Sequence, residues 1–110
     1  MALPEIVLSA ANVTAKVVPG RGALVTQLRV GDREVLYLDP ATVEDPTRSV
    51  RGGIPLLFPQ AGGLADDTLG LTGTKLKQHG FARDRAWTVR AMLRRSRRIP
   101  TSTRLITPCA

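Results

Sequence analysis

Residues 23–38 contain the pattern that most restricts what this chain can fold into. Their first half places an apolar residue or a threonine at every second position, as in a half-buried strand; these positions are Leu24, Thr26, Leu28 and Val30. Gly31-Asp32 follows, and glycine at the first position of a two-residue loop suits a type II′ hairpin turn. Residues 33–38 would return as the partner strand. The sequence therefore predicts an antiparallel β-hairpin here.

The flanking segments favour more strands and no long helix. Further strands are predicted at residues 5–10, 12–18, 54–58 and 86–93, the third of them short and buried. Residues 19–22 are rich in Pro and Gly and predict a turn, and residues 41–50 predict a charged loop. No stretch longer than ten residues has a convincing helical stripe. The predicted class is therefore all-β.

The formal charge of +7 is concentrated at the end of the chain. Residues 1–89 contain ten Lys and Arg against nine Asp and Glu, whereas residues 90–110 contain six arginines and no acidic residue. A basic tail can bind phosphate backbones without sequence preference, but this one has no aromatic residue to stack on bases. We therefore favour an out-of-frame or disordered Arg-rich tail over a nucleic-acid-binding one.

Cys109 is the single cysteine, which excludes an internal disulfide and favours a reducing compartment. The first residues lack the positive start of a signal peptide, and no apolar run approaches the length that crosses a bilayer. We therefore expect a cytoplasmic protein that does not associate with a membrane.

Two compact blocks, residues 51–62 and 78–87, contain the side chains best suited to a polar ligand. Arginine presents a planar fork of donors to a carboxylate or phosphate, and glutamine offers both a donor and an acceptor. The candidate ligand-binding residues are Arg51, Gln78, His79 and Arg83. Taken alone, these residues also fit ordinary surface loops, because Gly and Pro are common in turns. Gly52 and Gly53 are expected to be structural, since glycine permits backbone angles and close approaches that a side chain would block.

The sequences VRGGIPLLFP at 50–59 and QHGFARDRAW at 78–87 resemble the aldose 1-epimerase (mutarotase) family. They look most like its hexose-6-phosphate branch, glucose-6-phosphate 1-epimerase, in which an RGGIP block precedes a QHG(F/L)AR block. The resemblance implies the galactose mutarotase-like fold, a large antiparallel β-sandwich, of which this chain would be a truncated N-terminal portion. Residues 1–89 would then belong to the sandwich, and residues 90–110 would form the tail.

The resemblance also implies a function. Mutarotases interconvert the α and β anomers of an aldose by opening and closing the sugar ring, with one group acting as acid and another as base. In the sugar-phosphate branch this pair is a His and a Glu that lie beyond the end of this chain, so no catalytic residue is identified here. The positions that match the family, Arg51, Gln78, His79 and Arg83, would bind a sugar or sugar phosphate. Neither a metal nor another cofactor is implied.

Three hypotheses remain, and they belong to different classes. We adopt an isomerase of this family that acts on a hexose or hexose 6-phosphate, represented here by a fragment with the substrate-binding residues. The second hypothesis is a catalytically inactive sugar-phosphate-binding remnant. The third is a nucleic-acid binder that acts through the basic tail. The sequence leaves the oligomeric state open.

Overall fold

The computed structural model describes residues 3–93 and 102–108, whose regular secondary structure consists mainly of antiparallel strands. The strands are β1 (Ile6–Ala10), β2 (Val13–Val18), β3 (Leu24–Val30), β4 (Arg33–Glu34), β5 (Trp87–Leu93) and β6 (Ser102–Pro108). The first four form one sheet in the order β1-β2-β3-β4, and β5 pairs with β6 separately. The predicted all-β class is confirmed.

A short helix, α1 (Pro40–Glu44), occupies part of the segment predicted to be a charged loop, so that prediction is wrong for these residues. The Asp39 carboxylate accepts a hydrogen bond from the N–H of Ala41 at 3.2 Å, and proline fills the first helical position. Both features favour the start of a helix. Among residues 3–93 and 102–108, no helix is long and apolar enough to cross a membrane.

The predicted hairpin is confirmed at its turn, but its second strand is shorter than expected. Val30 pairs with Arg33 across Gly31-Asp32, and β4 ends at Glu34. Leu38 then makes an isolated antiparallel bridge with Gly52. The chain therefore leaves the sheet early and lies against the first block.

The buried strand predicted at residues 54–58 is absent. Ile54 and Phe58 are exposed, and each makes only an isolated bridge, to Val25 and to Gly80 respectively. The proline between them has no N–H to donate to a continuous ladder. The segment connects two parts of the fold without joining a sheet.

The hydrophobic core lies where the end of β2, the start of β3 and α1 meet. Its buried apolar residues are Val17, Val18, Ala23, Leu24, Val43 and Ala82. Several large apolar side chains elsewhere are exposed, with 74% of Tyr37 and 96% of Leu71 accessible to solvent. The radius of gyration of 16.1 Å exceeds the value of about 13 Å expected for a compact domain of this length. The described residues thus bury a small core and leave apolar surface uncovered.

The predicted tail, residues 90–110, falls partly outside the described residues, which include neither 94–101 nor Cys109. Within the described part, β5 extends to Leu93 and pairs in antiparallel register with β6. The boundary predicted at residue 89 falls inside β5. The division of the chain there, with an out-of-frame or disordered tail, stays a prediction.

Candidate functional site

The two sequence blocks are joined to each other in the structure. The Phe58 carbonyl accepts hydrogen bonds from the N–H groups of Phe81 at 2.9 Å and Ala82 at 3.4 Å. The rings of Phe58 and Phe81 meet edge to face with 5.8 Å between their centroids, and the Arg85 guanidinium lies 4.7 Å from the centre of the Phe81 ring. Edge-to-face rings and a cation over a ring are both favourable arrangements. The blocks therefore form one structural unit.

Gly52 shows why the first block needs glycine. Its φ is +96°, and a Cβ placed there would lie 2.2 Å from the carbonyl oxygen of Tyr37. Any side chain would force these two backbone segments apart. The structural role expected for Gly52 is confirmed.

His79 is fixed by the end of the first block. Its N–H donates to the Gly62 carbonyl at 3.0 Å, and its ring Nδ1 forms a hydrogen bond with the Ala61 carbonyl. Because a carbonyl oxygen can only accept, Nδ1 carries a proton, and a neutral imidazole with this tautomer has an acceptor at Nε2. An acceptor of this kind suits a hydroxyl donor.

A cavity of about 350 Å³ lies beside the second block. We call it the Arg83 cavity; the charged residues that line it are Arg21, Arg48, Lys77, Arg83 and Asp84. Nε of Arg83 is buried and has no hydrogen-bond partner among the described residues. A buried donor without an acceptor costs about 1–3 kcal/mol. Arg83 thus lines the cavity and retains a donor that no described residue satisfies.

Arg21, which also lines the cavity, forms hydrogen bonds with the protein backbone. Its guanidinium donates to the carbonyls of Val43 at 3.2 Å, Thr42 at 3.3 Å and Asp45 at 3.0 Å, and also to that of Arg48. These carbonyls belong to the end of α1 and to the loop that follows, where backbone acceptors lack helical partners. Arg21 therefore holds one wall of the cavity in place.

The loop after α1 also contains a carboxylate with a lowered pKa, Asp45, which does not itself line the cavity. Asp45 accepts hydrogen bonds from the hydroxyl of Thr47 at 2.6 Å and from its N–H at 2.9 Å. The side-chain hydrogen bond from Thr47, supported by the backbone one, lowers the pKa of Asp45 because it favours the ionised form. Among the described residues no group of three or more His, Cys, Asp or Glu is placed to hold a metal ion.

Of the four predicted ligand-binding residues, Arg83 lines the cavity and Arg51, Gln78 and His79 do not. Arg51 is exposed, although its backbone is fixed, since its N–H donates to Thr42 Oγ1 at 2.9 Å. Gln78 is also exposed. The structure thus does not gather the four side chains into one cavity, and binding roles for the other three stay predictions.

Sequence reasoning missed the remaining charged residues of the cavity. Lys77 directly precedes the second block and Asp84 lies within it, and each adjoins a predicted ligand-binding residue, so their position was an available signal. Arg48 similarly precedes the first block. Arg21 lies far from both blocks in the sequence, and no local pattern indicates its contact with the loop after α1.

Comparisons with known proteins agree with this description. No family model matches the chain. The chain is 33% identical over 88 residues to the Cenchrus ciliaris protein named "Putative glucose-6-phosphate 1-epimerase", a match that covers 79% of this chain and 24% of that protein. It also resembles the crystal structure of the Slr1438 protein from Synechocystis sp. PCC 6803, with a TM-score of 0.73 and 40% identity over 87% of this chain and 34% of the other.

The matches confirm the predicted resemblance to the aldose 1-epimerase family and agree with the β-rich fold. The chain is similar to part of the protein named "Putative glucose-6-phosphate 1-epimerase", in keeping with the predicted N-terminal portion. The chain spans 24% of the curated relative and 34% of the structural neighbour. The activity of those whole proteins is therefore only proposed for this one.

Proposed function

We propose that this chain supplies substrate-binding residues of an isomerase that interconverts the α and β anomers of a hexose 6-phosphate. The observation that carries the proposal is the Arg83 cavity, where a buried guanidinium N–H lacks an acceptor and further cations line the same space. A phosphate group supplies several acceptor oxygens and negative charge, which suit a guanidinium fork. The name of the Cenchrus ciliaris relative points to the same substrate class.

In this proposal the phosphate group binds in the Arg83 cavity and the sugar ring lies near the second block. His79 Nε2 would accept a hydrogen bond from a sugar hydroxyl, because Nδ1 is occupied by the Ala61 carbonyl. Arg51 and Gln78, which are both exposed, would also contact the substrate, as the resemblance implies. A reducing, cytoplasmic environment fits a chain with one cysteine.

Anomer exchange needs an acid that protonates the ring oxygen and a base that removes the proton of the anomeric hydroxyl. The sequence contains one histidine, His79, whose Nδ1 already serves the structure. We therefore assign His79 to binding, and the resemblance implies that the catalytic His and Glu lie downstream of the second block. An inactive sugar-phosphate binder would have the same cavity, and exchange activity separates it from an isomerase.

Two NMR measurements on the 110-residue protein test this proposal. Glucose 6-phosphate should shift the amide signals of residues 82–84, whereas glucose should shift them less, and Arg83→Ala should remove the difference. Magnetisation transfer between the two anomers, compared with buffer alone, then tests for isomerisation. Equal responses to the phosphorylated and free sugar would contradict the binding proposal; binding without exchange would leave the inactive binder as the function of this chain.

A further inference from the structure

An ion pair between Lys77 and Asp84 lies at the edge of the Arg83 cavity. Lys77 Nζ lies 2.6 Å from Asp84 Oδ2, and both residues line the cavity. Their side chains are 65% and 42% exposed, respectively. Exposed ion pairs contribute little to stability because solvent screens them. This pair can therefore separate at small cost when a stronger partner arrives.

The backbone of both partners is fixed, so that only the side chains need to move. The Lys77 carbonyl accepts a hydrogen bond from Gln60 Nε2 at 2.9 Å. The N–H of Asp84 donates to the Phe81 carbonyl at 3.1 Å, in the turn that also contains Arg83. The ammonium group of Lys77 is thus positioned beside the same space as the Arg83 guanidinium.

The charges around the cavity make Asp84 the natural competitor of an anionic ligand. It is the one carboxylate among the described residues that line the cavity. A phosphate monoester carries between one and two negative charges at neutral pH and has three acceptor oxygens. It therefore competes with Asp84 for the ammonium group of Lys77, whereas an uncharged sugar does not.

We propose that Lys77 is a phosphate-binding residue of the Arg83 cavity and that Asp84 is its competing partner, so that the two together set the preference for phosphorylated over free hexose. This inference rests on the proposed function. In the free protein Lys77 is paired with Asp84; in the complex its ammonium group donates to the phosphate. Lys77 raises the affinity for a phosphorylated ligand, and Asp84 lowers it.

Calorimetric titration of the 110-residue protein with inorganic phosphate, glucose 6-phosphate and glucose tests the inference. Lys77→Met should weaken binding of both phosphate ligands about ten-fold, the loss expected for one charge-assisted hydrogen bond. Asp84→Asn should tighten it about two- to five-fold, in line with an exposed ion pair. Binding of glucose should not change in either variant. Lys75→Met is the matched control, because Lys75 Nζ bonds the Asp66 carbonyl and does not line the cavity.

The double variant distinguishes competition for Lys77 from simple repulsion by Asp84. If the two side chains compete as proposed, Asp84→Asn gains little affinity once Lys77 is methionine. The inference is wrong if Asp84→Asn raises the affinity for phosphate equally with lysine and with methionine at position 77. It is also wrong if Lys77→Met leaves the affinity for phosphate unchanged. Loss of phosphate binding in Arg83→Ala alone, with Lys77→Met unaffected, would still leave the proposed function standing. If the protein without substitutions binds neither inorganic phosphate nor glucose 6-phosphate, both the inference and the proposed function are wrong.

Discussion

The backbone of Gly22 lies directly against the carbonyl group of Arg83. A Cβ at Gly22 would sit 2.0 Å from the Arg83 oxygen and 2.5 Å from its carbonyl carbon, and the φ of Gly22 is +69°. The end of the short turn before β3 thus supports the turn that contains Arg83. This contact connects the N-terminal sheet to the candidate site.

Gly22→Ala should destabilise the protein by about 3 kcal/mol or more, because backbone strain and overlap with Arg83 act together. Gly31→Ala is the matched control: its φ is +58°, but a Cβ there meets nothing within 4 Å. The control should lose about 1–2 kcal/mol through strain alone. Urea unfolding followed by circular dichroism measures both, and equal losses would contradict the packing explanation.

The strands that the sequence predicts correctly are those with a signal in consecutive residues. β1, β2 and β3 lie where alternation and β-forming residues predict them, and the turn at Gly31-Asp32 joins β3 to its neighbour as expected. The helix α1 was missed although Asp39 and Pro40 form a recognisable helix start. The charged composition of residues 41–50 indicates a loop, whereas Asp39 and Pro40 favour a helix start.

The candidate site is less predictable because its contacts are long-range. Arg83 was identified from its block, and it does line the cavity. That Arg21 would hold the loop after α1 depends on the chain's path between distant segments, and that Lys77 would pair with Asp84 depends on how the residues between them turn. No periodic pattern encodes such a path.

Thr42 links α1 to the first block through a buried hydroxyl. Its side chain is 1% exposed, and Oγ1 donates to the Asp39 carbonyl at 2.7 Å while it accepts from the N–H of Arg51 at 2.9 Å. Thr42→Val keeps the shape but removes both hydrogen bonds, so it should cost about 1–3 kcal/mol. Thr42→Ser keeps the hydroxyl and should cost less. Urea unfolding of the two variants measures these losses. An unchanged free energy of unfolding in Thr42→Val would contradict the prediction.

Asp45 should make the loop after α1 sensitive to acid. Its pKa is lowered in the folded protein, so its contribution to stability is fully present above the unfolded value of about 3.8 and is lost as the pH falls through the lower folded value. Protonation weakens its hydrogen bonds with Thr47. The amide signal of Thr47 should therefore shift below about pH 4. Asp45→Asn should abolish that shift, whereas Asp32→Asn in the exposed hairpin turn should leave it unchanged.

Arg21→Lys should loosen the wall of the Arg83 cavity although it preserves the charge. The guanidinium of Arg21 serves four backbone carbonyls, and a single ammonium group cannot reach all of them with the same geometry. We expect a loss of about 1–3 kcal/mol and faster amide hydrogen exchange in residues 43–48. Arg29→Lys, at an exposed position of β3, is the control and should change neither. Unchanged exchange in residues 43–48 of Arg21→Lys would show that other contacts hold the loop.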